Sequence, residues 1–203
     1  MIKLVKNRWA LSTVITTLII LVVSVLLATV VTYFAINVVS TRVQEESLHV
    51  TKQHIWHNGT ATVGTSNYTV ASLMIINTGG RDVVLDKVAV RGQECPWNQT
   101  LAAGNEKFVV YCTTNDPIAV DLTYVPNFNY TGGTNYNVLG GTQYNFTVAT
   151  NDLILKSGDT MLLYIINPDS ITIKDVGLTV SITLYTAQAI YYRETNVQAV
   201  ASS

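Results

Sequence analysis

Charge is what this chain has least of. Asp, Glu, Lys and Arg make up 12% of its 203 residues, about half the ~25% usual in soluble domains. With a net charge of −1 and a pI near 6.3 there is no basic field to attract phosphates, which argues against nucleic acid as a partner. Histidine is equally sparse. His49, His54 and His57 fall in one short window with no Cys or carboxylate cluster beside them, so the window reads as a solvated linker and no metal site is expected. The chain has no G-x-S-x-G, no P-loop and no haem-binding Cys pair, and its aspartates are scattered, mostly beside turns. Nothing here supports an enzyme or calls for a cofactor. A surface so poor in charge stays soluble through hydroxyls, amides or sugars, or is covered by neighbouring subunits.

Glycine and proline are missing from one long segment. Leu11–Thr41 contains neither, nor any charge, and it is bounded by Lys3, Lys6 and Arg8 on one side and Arg42, Glu45 and Glu46 on the other. At 1.5 Å per residue a helix of this length reaches about 45 Å, more than the ~30 Å hydrocarbon core of a bilayer. No breaker follows until Gly59, so the helix is expected to run over residues 11–48, with Arg42 facing Glu45 and Glu46 on one helical face. Ser24, Ala28 and Ala35 allow close approach of a neighbouring helix, with Leu26 at mid-helix. The basic flank places the N-terminus in the cytoplasm and residues beyond 42 outside.

The small residue Ala10 lies before the apolar run, directly after Lys6-Asn7-Arg8-Trp9, whereas a secretory signal has its small residues after a shorter apolar region. In these residues, and in Leu11 followed by Ser12-Thr13-Val14-Ile15-Thr16-Thr17-Leu18-Ile19-Ile20, the chain resembles archaeal type IV pilin-like and archaellin-like subunits with a class III signal peptide. Bacterial type IV pilins usually carry Glu at the fifth mature position, here Ile15, so the resemblance is to the archaeal branch. It implies a leader of residues 1–10 with the charges Lys3, Lys6 and Arg8, and cleavage between Ala10 and Leu11 by a prepilin peptidase. It further implies insertion in the cytoplasmic membrane, then assembly by pilus machinery into a homopolymeric surface filament. Adhesion to surfaces or glycans follows for a pilus, motility for an archaellum. The competing reading is an uncleaved anchor carrying a monomeric extracellular binding module.

Beyond His49 the period changes. Short β-branched and aromatic runs at roughly ten-residue spacing predict an all-β immunoglobulin-like sandwich over residues 49–203, making the chain α+β in composition. Strands are expected near Val50–Trp56, Thr69–Asn77, Val83–Arg91, Lys107–Tyr111, Ile118–Tyr124, Tyr144–Ala149, Met161–Ile166, Leu178–Tyr185 and Ala189–Val197. Residues 126–141, rich in Asn, Tyr, Gly and Thr, read as a long surface loop suited to contacts. Five sequons lie on the outer side, at Asn58, Asn67, Asn98, Asn129 and Asn145, and are candidates for N-glycosylation. Cys95 and Cys112 are the only cysteines. An even count in an extracellular domain predicts one disulfide, and the spacing does not suit a CxxC metal or redox pair.

Overall fold

The computed structural model describes residues 7–60, 69–99, 107–116, 118–126, 135–139, 142–168 and 170–200. The chain divides into two units at Gln44/Glu45. The first is a single helix, α1 (Asn7–Gln44). Its hydroxyls do not compete with the helix but bond back to it: Thr16 to the Ser12 carbonyl, Ser24 to Ile20, Thr29 to Val25 and Thr32 to Ala28, at 2.7–2.9 Å. Each of these hydroxyls thereby has a partner within its own helix in an apolar setting.

The helix stops four residues short of the expected end at 48. Residues 45–47 belong to the β unit instead. The Ser47 carbonyl accepts the backbone N–H of Thr78 (2.9 Å) and Gly79 (3.1 Å), and Glu46 accepts the Thr186 hydroxyl. Gly79 is required there, since a Cβ would lie 3.0 Å from the Glu45 carbonyl oxygen and the Ser47 nitrogen. Glu45 and Glu46 therefore lie beyond the helix and do not share a helical face with Arg42.

The β unit contains β1 (Leu48–His57), β2 (Thr69–Asn77), β3 (Val83–Val90), β4 (Gln93–Cys95), β5 (Asn98–Gln99) and β6 (Lys107–Thr114). It continues with β7 (Asn135–Leu139), β8 (Thr142–Val148), β9 (Leu153–Leu155), β10 (Thr160–Ile166), β11 (Thr179–Thr186) and β12 (Ile190–Ala199). A short 3-10 turn, Ile173–Asp175, precedes β11. Ten strands follow one path, β4-β3-β11-β12-β1-β2-β10-β6-β8-β7, with β5 and β9 pairing off it. The result is one mixed sheet curled into a half-barrel, where two separate sheets of an immunoglobulin-like sandwich were expected. The reason is β12. Its ten residues pair antiparallel with β11 through Asn196 and then parallel with β1 at Val197–Ala199, which joins the two halves.

β2 and β10 are buried on both faces and separate two apolar clusters. Ala71, Leu73 and Ile75 of β2 with Met161, Leu163 and Ile165 of β10 face the inside of the curl, against Val83, Leu85, Val88 and Leu184. Val70, Met74, Leu162, Tyr164 and Ile166 face outward with Trp56, Phe108 and Phe146. A bulge in β1 at Lys52, whose φ is +52°, switches its parity, so Leu48 and Val50 before it and Ile55 after it all face inward.

The outer cluster is roofed by residues 118–126, which form a strap and not the strand expected from Ile118–Tyr124. Ile118 and Leu122 insert into the cluster. The strap's carbonyls at Ile118 and Val120 both accept the Lys52 ammonium at 2.6 Å, in place of a neighbouring strand. Residues 126–141 are likewise not a uniform loop, since β7 lies within them.

Candidate functional site

The feature that sets this chain apart is the surface of α1. Over Ser12–Thr41 the helix is long and apolar enough to cross a membrane, and none of it is buried. Val14, Leu18, Val25, Val30, Tyr33 and Phe34 all stand exposed. An all-round apolar helix needs cover from lipid or from other helices. With 3.6 residues per turn, Ser24, Ala28 and Ala35 fall along one side and Leu26 falls on the opposite one. Ala10 and Leu11 lie within α1, as does Arg8, while Lys3 and Lys6 lie outside the described residues.

The cysteines are not joined. Cys95 and Cys112 are both buried, and no disulfide connects them. The pleat explains why: Cys95 packs in the inner cluster and Cys112 in the outer one, so a sheet lies between their side chains. Burial raises the Cys112 thiol above its ordinary range. The expected Cys95–Cys112 bridge is thus corrected.

Of the sequons, Asn67 and Asn129 lie outside the described residues, and Asn98 sits in β5. Asn58 follows β1 and is half-buried, with its amide committed: Nδ2 donates to the Tyr124 hydroxyl at 3.2 Å, and Oδ1 accepts the Thr60 N–H and hydroxyl. Asn145 is exposed on β8. Its neighbour Phe146 is turned into the outer cluster, edge-on to Tyr164 at 5.4 Å.

The histidines occupy β1 and not a linker. His54 is bonded to Asp121 of the strap at 3.0 Å and stacks on Trp56 with ring centroids 5.0 Å apart. That hydrogen bond holds Asp121 below the usual carboxylate range. His57 bonds the Thr69 hydroxyl at 2.9 Å, and burial lowers its pKa. Among the described residues no three His, Cys, Asp or Glu side chains converge as a metal site would need.

His57 also lines a hollow of about 410 Å³ with Thr69, Asn167, Pro168 and Ile171, at the end of β1 away from Leu48. Next to it, Asp175 is held below its ordinary pKa by the Thr172 hydroxyl and backbone N–H, with Arg91 at 2.7 Å. The Arg91–Asp175 pair joins segments far apart in the chain and was beyond sequence reasoning, whereas Thr172-x-x-Asp175 is a local capping signal that it missed.

An apolar, unburied N-terminal helix followed by a separately cored β unit is an architecture compatible with type IV pilin-like subunits. No protein-family model matches the chain, and no curated protein sequence is similar to it.

Proposed function

We propose that the chain is the structural subunit of an archaeal type IV pilus-like surface filament. The observation that carries this reading is a 30-residue apolar helix, none of it buried, attached to a β unit that already buries its own core. A prepilin peptidase removes residues 1–10, and the helix waits in the cytoplasmic membrane with the β unit outside. On assembly the helices exchange lipid for one another in a head-to-tail array that does not close. Every hydroxyl bond named above on α1 is internal, so the helix carries those groups from lipid into a dry bundle without losing a partner. The role is assembly and not catalysis, and the exposed β units serve adhesion. The test is to purify surface filaments from cells expressing the chain and measure the intact mass of the subunit. A filament subunit beginning at Leu11 supports the reading. Membrane-held monomers still carrying Met1–Ala10, with no filaments, would instead establish the anchored module.

A further inference from the structure

We infer that the edge of β7 opposite β8 is a self-association surface, pairing antiparallel with β7 of a second copy so that two sheets become one. Three long stretches of this chain carry no Asp, Glu, Lys or Arg: Trp9–Thr41 of the helix, Gln53–Gly80, and the thirty residues Leu122–Asn151, which hold the whole β7–β8 hairpin. The hairpin forms one end of the sheet. β7 is last in the strand order, it pairs with β8 on one side, and among the described residues no strand pairs with its other side.

An open strand edge presents a row of N–H and C=O groups to any chain that meets it, and proteins usually blunt such edges with charges, prolines or bulges. The two ends of this sheet differ in that respect. At the β4 end the outer strands are only three residues long. Glu94 of β4 lies 3.8 Å from Lys87, and β9 is flanked by Asp152 and Lys156. At the β7 end, Asn135–Leu139 has no charge and no proline, and its register with β8 runs unbroken over five pairs.

The occupant follows from that contrast. A partner strand must bring an unguarded edge of its own, and in a second copy the guarded β4 end does not supply one, which leaves its β7. Centred antiparallel pairing sets Asn137 opposite Asn137. Copies confined by their apolar helices to a bilayer or a bundle meet at high local concentration, so a five-residue edge suffices. A contact of this kind uses the same patch on both copies and closes on the pair. It ties neighbours side by side and does not lengthen a filament, so it stands whether or not the filament reading does.

The test uses the full chain in detergent micelles, where the helix is shielded. Asn137→Cys is oxidised with copper phenanthroline beside a control at the exposed Lys174, Lys174→Cys, on the turn before β11. Cross-linked dimers are expected to form at Asn137→Cys and to be about tenfold fewer at Lys174→Cys. In a second measurement, Asn137→Lys places a charge on the edge. With an unchanged circular dichroism spectrum, it should weaken self-association in sedimentation equilibrium by about tenfold. Equal cross-linking at the two positions, or association by helices alone that ignores Asn137→Lys, overturns the inference.

Discussion

A charge at mid-helix separates the two environments that α1 is argued to occupy. Leu26→Asp places it on a side chain that is 60% exposed, with Val22 and Val30 one turn away on either side. Eighteen large apolar side chains between Val14 and Val39 stand exposed. At about 1.5–3 kcal/mol each when buried, they favour an apolar environment by roughly 25–50 kcal/mol. A carboxylate at the bilayer centre costs about 2.5–3.5 kcal/mol on the insertion scale, so the variant should still enter the membrane. Inside a packed helix bundle the same carboxylate is buried without a partner, a change that costs about 3–5 kcal/mol in comparable buried sites and recurs in every subunit. The two are therefore expected to part: near-normal subunit in the membrane fraction by immunoblot, and loss of filaments by electron microscopy. Filaments at wild-type abundance would refute the claim that the helix face is packed in the assembly. Disappearance of the subunit from the membrane would refute the energetic comparison.

Three further outcomes concern the β unit. Tyr164 is fully buried and its hydroxyl donates to the Thr123 carbonyl of the strap at 3.1 Å; Tyr164→Phe should cost about 1 kcal/mol in urea unfolding and speed proteolysis within 118–126. Asp121 has a folded pKa depressed mainly by its His54 hydrogen bond, so its contribution is present above the unfolded value of ~3.9 and is lost as pH falls through the folded value. Asp121→Asn should accordingly lower stability at neutral pH by at most about 1 kcal/mol, given the exposure of the carboxylate, and the difference should vanish in strong acid. Because Cys95 and Cys112 face opposite sides of the sheet, reductant should leave Tm unchanged, and alkylation after unfolding should label two thiols per chain without prior reduction.

The helix was legible because its signal is local. A run without charge, Gly or Pro needs no partner to declare itself; its bounds were misplaced, the helix beginning at Asn7 before the expected Leu11 and ending at Gln44, beyond which Ser47 and Glu46 are captured by Gly79 and Thr186 from far along the chain. Strands of seven residues or more were also legible. β2 lies at Thr69–Asn77 as expected from its β-branched content, although burial on both faces leaves no alternation to read. β4, β5 and β9 have two or three residues each, too few to carry a period. The strap failed for a different reason. Ile118, Val120, Leu122 and Tyr124 alternate like a strand, but whether such a run joins an edge or lies across a face was decided by Lys52 and His54, more than sixty residues away. The disulfide failed because counting cysteines ignores the pleat, and the register Leu162↔Cys112 puts that thiol on the outer face. In the same way, the sequence spacing of the histidines did not reveal that β1 turns His54 to the strap and His57 to the hollow beside Asn167.

The central claim is that α1 drives assembly and that the β unit is complete without it. Expression of residues 45–203 alone tests this most directly, scored by sedimentation, circular dichroism and electron microscopy. The account predicts a folded, soluble β unit no larger than the β7-paired dimer, with no filaments under conditions where the full chain makes them. Filaments built by residues 45–203 without the helix would contradict it.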